Sequence, residues 1–247
     1  MSRLDQLDVK ALNPVLNDLK KKTEGCRTME ETAQVTTRLL FEAFKDEIVL
    51  ARMFATVPYG ELPAANQAFV AKLAKAQNIT TLVKDETAIL SLVGTSGRQP
   101  AWNDRRRSDG HVGIPLASAD FIDRIPMVSR LLNEVGLGLD WISKGDTNIV
   151  VRASGRISGV FYVPDAATAV DHKGRKVISA QDFVQAHRVR SVFGVAGAYA
   201  IGGTFVVLIV FTNQVLVKSQ AELFAPVINI FKGNTGLLAS SGAVFSH

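Results

Sequence analysis

One cysteine, Cys26, occurs among 247 residues. An internal disulfide is therefore excluded, as are cysteine-rich zinc sites and the CxxC redox motif. Histidine is also scarce. Four residues with no HExxH spacing leave little from which to build a catalytic metal centre. Two tryptophans and three tyrosines stand against thirteen phenylalanines, so most aromatic weight sits on rings without a polar handle, which suits a core. There is no GxGxxG segment, and strands do not alternate regularly with helices, which argues against a doubly wound dinucleotide-binding fold. No linker, low-complexity block or internal repeat interrupts the chain. The opening Met1-Ser2-Arg3-Leu4-Asp5 has no apolar core of the kind a secretory signal needs. Together with the unpaired cysteine, this gives a cytoplasmic expectation.

What is present is ordinary for a globular chain: 47% apolar and 21% charged residues. The net charge is +5, with basic runs at Lys20-Lys21-Lys22 and Arg105-Arg106-Arg107. Neither run gathers on one face with interleaved aromatics, so no nucleic-acid partner is expected. Residues 192–212 carry no charge and approach the length of a membrane span. Gly202-Gly203 divides them, and the second half, Phe205 to Phe211, is rich in β-branched residues. That pattern predicts a β-hairpin, with no membrane partner.

Leu4, Leu7, Leu12, Leu16 and Leu19 fall on one helical stripe, with Asn13-Pro14 marking either a kink or the start of a second short helix. Thr28 and Glu31 form a capping box that opens a helix to Phe44. A strand over 48–57 follows, with Arg52 as its single charge. Further expectations are a helix over 63–77 and a strand over 88–93 stopped by Gly94. A short strand over 111–116 precedes a helix capped by Ser118 and kinked at Pro126. One or two strands over 147–163, interrupted at Gly155 and Gly159, lead to a short helix capped at Ser179. After the hairpin, Ser219 and Glu222 form another box, and Gly233 ends the closing helix. Residues 1–27 are thus a helical extension, 28–233 the domain and 234–247 a loose tail. The fold class is α+β, an antiparallel sheet covered by helices.

The last third carries a family resemblance. Phe193-Gly194-Val195-Ala196-Gly197-Ala198-Tyr199, the Gly202-Gly203 turn, Phe205 to Phe211 and Leu223-Phe224-Ala225-Pro226 resemble the terminal hairpin and closing helix of GAF-like sensory domains. Ala101-Trp102-Asn103, Ser108-Asp109-Gly110-His111 and Ile114-Pro115-Leu116 are similar to stretches of bacterial signalling modules. The likeness spans residues 30–233. It implies a non-enzymatic small-ligand pocket, dimerisation through terminal helices and a signalling partner protein. The Asn-Lys-Phe-Asp-Glu set of cyclic-nucleotide-binding members is not found. Cys26 lies before the first core helix, away from where a bilin would need it.

The candidate ligand-binding residues are Trp102, Arg105, Ser108, His111 and Tyr199. Trp102 offers a stacking face, Arg105 to Arg107 offer charge, and Ser108 and His111 offer polar contacts. The alternative is a surface loop whose arginines pair with Asp104, Asp109 or another carboxylate. His111, His172 and His187 lie on different elements with no second ligand at metal spacing, so no metal is expected, and any cofactor, haem included, is left unassigned. Ser154 and Ser158 lack a GxSxG context, and no catalytic residue is assigned. Function is therefore expected to be small-molecule sensing in signal transduction. The alternative is an enzyme acting on a small anionic substrate through the loop over 102–111. The leucine stripe of the first segment needs cover, from the same chain or from a second copy, and predicts a homodimer.

Overall fold

A computed structural model describes residues 3–108, 110–139, 142, 159–200 and 204–246. Six strands form one sheet among these residues. They are β1 (Ile48–Pro58), β2 (Ala88–Gly97), β3 (Gly113–Pro115), β4 (Val160–Val163), β5 (Ser191–Ala198) and β6 (Phe205–Thr212). Their order is β3-β2-β1-β6-β5-β4, and every neighbouring pair is antiparallel. The expected hairpin is β5 and β6, paired from Ser191 with Thr212 to Ala198 with Phe205. Its turn at Gly202-Gly203 lies outside the described residues, as do Gly155, Ser154 and Ser158 of the expected strand before β4.

The uncharged run has a simple cause. All eight residues of β6 are buried, because both faces of the sheet are covered. Val206, Leu208 and Val210 pack into one layer, while Phe205, Val207, Ile209 and Phe211 pack into the other. Among the described residues, no helix is long and apolar enough to cross a membrane.

The first layer holds α1 (Val9–Thr23), α2 (Met29–Ala43) and a long closing helix, residues 225–240. Asp8 caps α1 by accepting a hydrogen bond from the Ala11 N–H, at 2.7 Å. The chain therefore breaks before Asp8, after a 3-10 turn over Leu4–Gln6, and Pro14 is carried inside one helix. Thr28 caps α2 through the Glu31 N–H, as expected, but Glu31 reaches back to the Arg27 N–H rather than to Thr28. Threonines 32, 36 and 37 are fully buried on α2, because each hydroxyl donates to the carbonyl four residues back.

α2 lies so close to β2 that a Cβ at Gly94 would stand 2.5 Å from the carbonyl carbon of Ala33. Gly94 does not stop β2, as the sequence suggested. It lets the strand continue to Gly97 past a bulge opposite Met53 and Phe54.

Leu4, Leu7, Leu12 and Leu19 are buried in the same cluster as residues of α2 and the closing helix. The stripe is covered by its own chain, so it gives no reason to expect a second copy.

α3 (Ala64–Ala76) runs beside β3 at the sheet edge. The second layer contains α4 (Ala119–Asp123), α5 (Pro126–Glu134) and α6 (Gln181–Ala186). Ser118 caps α4, with the Phe121 N–H donating at 3.1 Å. Pro126 opens a new helix rather than kinking an old one, since its missing N–H costs nothing at a first position. α6 begins after Ala180 with no side-chain cap, so Ser179 is not spent there.

α7 (Lys218–Glu222) starts one residue before Ser219 and is capped by Gln220, which accepts from the Val217 N–H at 2.9 Å. The closing helix, α8 (Ala225–Ser240), passes through Gly233. Residues 243–246, beyond it, are not loose. Met29 N–H donates to Ala243, Glu30 N–H to Val244, and Ser246 N–H to the Glu30 carboxylate at 2.9 Å.

Two glycines give opposite expectations. Gly94→Ala should destabilise the fold by about 1–3 kcal/mol, because backbone rather than a movable side chain meets the new methyl group. Gly233→Ala has nothing within 4 Å and sits inside a helix, so it should stabilise by about 0.5–1 kcal/mol. Urea denaturation of both variants checks the pair. A neutral Gly94→Ala would mean that α2 does not rest on β2 as described.

Candidate functional site

The segment after β2 carries most of the expected site, and its path is fixed by its own polar groups. Asn103 accepts the Gly97 N–H on Oδ1 at 2.9 Å and donates to the Gln99 carbonyl at 3.2 Å. Asp104 then caps a 3-10 turn over Arg105–Arg107 by accepting from the Arg106 N–H at 2.9 Å. Successive arginines on so tight a turn cannot all point the same way.

Arg105 turns inward and away from the second layer. Its Nη2 donates to Glu30 of α2 at 2.6 Å, its Nη1 to Asn66 of α3 at 3.3 Å, and its guanidinium lies 4.8 Å from the Phe245 ring centroid. Arg106 reaches the same carboxylate at 3.1 Å from the outside. Arg107 and Ser108 instead face the second layer, where they border a cavity of about 380 Å3.

This cavity lies between the sheet face that bears Leu50, Arg52 and Phe54 and the cover made by α5 and α6. Most of its wall is apolar, as small-molecule sites generally are. Trp102 stands at one side, edge-on to Phe183 at 5.6 Å and to His187 at 4.8 Å, and Phe183 meets Phe211 at 5.5 Å. Trp102 packs this closely because residue 97 is glycine. A Cβ there would come within 2.9 Å of the indole. The polar groups of the lining are few: Arg52, Thr95, Arg107, Ser108, His111 and Ser179. No Asp or Glu lines the cavity among the described residues.

Of the five residues expected from sequence, Trp102, Ser108 and His111 are brought together at this cavity. Arg105 and Tyr199 are not. Arg105 is held by Glu30, so it takes the expected alternative of pairing with a neighbouring carboxylate. Tyr199 lies on the opposite face of the sheet, in the layer of α8, where its hydroxyl shares a 2.6 Å hydrogen bond with Thr235. Burial raises its phenol well above the usual value, with the Thr235 contact opposing.

Sequence reasoning passed over Arg52. Its signal was present, a lone charge in an apolar strand. One terminal nitrogen, Nη2, donates to Ser108 Oγ at 2.5 Å and to the Gly110 carbonyl at 2.9 Å. Its Nε is buried with no acceptor among the described residues. Burial lowers its pKa to about 10, so the guanidinium is still charged at neutral pH.

His111 takes a left-handed backbone, φ +52°, which turns the chain from the loop into β3. Burial first, and then the charge of Arg52, lowers its pKa below 6.5. Both effects favour its neutral form. Among the described residues no group of three His, Cys, Asp or Glu could hold a metal ion. Cys26 lies outside the cavity lining, and its thiol is raised by burial, opposed by a Thr32 hydrogen bond and reinforced by Glu31.

Two expectations follow from these contacts. Arg105→Ala should cost about 3 kcal/mol in denaturant unfolding, the low end for breaking a buried pair, because Arg106 and the Ser246 N–H still serve Glu30. A change under 1 kcal/mol would show that the pair does not organise the loop. For His111 the native state binds fewer protons than the unfolded state. Stability should therefore decline as pH falls below about 6.5, and stop declining from this source below the native pKa. An NMR titration should place His111 below 6.5 and move it upward in Arg52→Gln. An unmoved pKa would separate the two residues.

Neither a protein-family model nor a curated protein matches the chain. Solved structures do match. Free methionine-R-sulfoxide reductase from Neisseria meningitidis, solved with its substrate, superposes with a TM-score of 0.50 at 13% identity, over 94% of this chain and 93% of that one. A structure described as that of the GAF domain superposes with a TM-score of 0.50 at 12% identity, over 95% and 92%. At such identity the likeness speaks to fold alone. With the six-stranded antiparallel sheet and its two helical layers, it makes the chain an α+β protein with a GAF-like fold.

Proposed function

We propose that the chain is a small-molecule-binding module of a signalling system, with the cavity beside Trp102 as its ligand site and with no catalysis of its own. One observation carries the reading. The sheet face under α5 and α6 keeps a cavity of about 380 Å3, large enough for a small organic molecule, with an apolar wall and a few convergent polar groups. Trp102, Ser108 and His111 belong to the proposed site, and Arg52 and Arg107 join them. A signalling partner protein belongs to the same reading. A homodimer would need a surface other than the leucines of α1, and sedimentation of the full chain measures it.

A second reading is an enzyme acting on a small anionic substrate. It is favoured by the imidazole of His111, shifted toward its neutral form, standing on the same cavity as Arg52 and Arg107, a base beside two positive charges. One structural neighbour is a reductase solved with its substrate, so this architecture does serve an enzyme elsewhere.

Native mass spectrometry, with an absorption spectrum for haem or flavin, distinguishes the two. A binding module should retain a molecule that is released unchanged on denaturation, and adding it back should raise the melting temperature. Ala180→Trp, at an exposed position of the lining, should abolish retention without unfolding the protein. Chemical conversion of the molecule, lost in His111→Ala, would replace the binding module with the enzyme.

A further inference from the structure

Arg52 is an expensive residue for the position it occupies. It lies on β1, the third strand of six, where the neighbours on its face are Leu50 and Phe54. Removing a guanidinium from water costs several kcal/mol unless a counter-charge or a full set of acceptors replaces the solvent. No carboxylate pairs with it among the described residues. The nine salt bridges found there use Arg3, Lys22, Arg105, Arg106, Arg130, Lys173 and Arg175 as their cations. Its hydrogen bonds all run from Nη2, to Ser108 Oγ and the Gly110 carbonyl, and both acceptors are neutral. Nε is buried and donates to nothing among the described residues, and no bond from Nη1 is found. The half-buried side chain is thus held in place at one terminal nitrogen, with its guanidinium 5.7 Å from the Phe54 ring centroid and its buried Nε without an acceptor among the described residues, on the wall of a cavity that contains no acid among its described residues.

We infer that the occupant of this cavity is a compact organic monoanion, a carboxylate on an aromatic or branched apolar body, with its charged end on the Arg52 guanidinium. The inference rests on the reading of the cavity as a ligand site. Two features select within the class of anions. Guanidinium matches the carboxylate fork, accepting it through parallel N–H donors. Of the two guanidinium groups on the wall, Arg52 is half-buried and Arg107 is exposed. Against Leu50, Phe54, Leu90 and Leu131 a dianion costs more to desolvate than a monoanion, while a neutral molecule would bring Arg52 no counter-charge. The apolar wall and the edge-on cluster of Trp102 and Phe183 suit the rest of such a molecule.

The competing explanation makes Arg52 a strut that ties the loop at Ser108 and Gly110 to the sheet. Such a strut gives no preference for charge in the cavity. The test is made first on the unaltered protein by calorimetry. The probes are 3-phenylpropanoate, 4-methylpentanoate and 3-indolepropanoate, each paired with its primary amide, together with phenyl phosphate at pH 7.5. The inference expects at least one acid to bind about tenfold or more tightly than its amide, as for a hydrogen bond to a charged partner. That ratio should fall to near unity in Arg52→Gln and recover in part in Arg52→Lys. Amides binding as well as their acids would overturn the monoanion and leave the ligand site standing. Phenyl phosphate binding more tightly than every acid would overturn the carboxylate. Binding by none of the probes would overturn the inference, and native mass spectrometry would then show separately whether the cavity holds anything.

Discussion

The carboxylate of Glu30 is the point on which the loop beside the cavity depends. It sits in the first turn of α2, where the helix dipole favours a negative charge, yet it is only 8% exposed. Three partners converge on it: Arg105 Nη2 and the Ser246 N–H donate hydrogen bonds, and Arg106 Nη2 lies 3.1 Å away as a second cation. A buried carboxylate with that many partners is tolerable, and with fewer it is costly. The consequence is geometric. Once Arg105 is drawn toward Glu30, the tight 3-10 turn turns Arg107 and Ser108 to the opposite side, toward the cavity. The segment that could present three mobile cations instead presents one, together with a hydroxyl that grips Arg52. The same carboxylate receives the end of the chain, so residues 243–246, α2 and the loop meet at one group.

The sheet separates two different kinds of packing. On one face, α1, α2 and α8 are laid down tightly. Gly94 admits the backbone of α2, and Gly197 admits α8, since a Cβ there would come within 2.7 Å of Ile228. Close approach of this sort fills space and leaves no room for a guest. On the other face, short helices and loops do the covering, with α5 started afresh by Pro126 and α6 left without a side-chain cap. Short elements joined by loops seal a sheet less completely than long helices. The cavity is found on that side.

The elements themselves were legible because their signals are local. The Thr28 cap, the Ser118 cap and the β-branched run of β6 each depend on neighbours within a few residues. Gly94 and Gly233 misled for a shared reason. Glycine is punctuation only where the backbone needs a positive φ, and here one admits a helix while the other rides inside one. The site was half legible. Tyr199 shares the parity of Phe193 and Val195, so alternation already placed it on their face. What alternation cannot supply is which face carries the cavity, since that depends on how segments far apart in sequence cover the sheet. The direction of Arg105 was hidden for the same reason, as its partner lies 75 residues away.

Arg52 shows what a stricter use of the same local logic would have found. In β1, parity puts it in line with Leu50 and Phe54, which are core residues. A charged side chain there has three possible fates: a buried partner, an escape to solvent along its stem, or a cavity that keeps it hydrated or matched. The first requires an acid facing it, and none is found among the described residues. The second is open only in part: the side chain is half-buried between β2 and β6, and its buried Nε has no acceptor among the described residues. The third is left for the buried Nε, and the cavity on this face of the sheet meets it. A lone charge in an otherwise apolar central strand is therefore a stronger pointer to a site than three arginines in a loop, because the loop can satisfy its charges anywhere and the strand cannot.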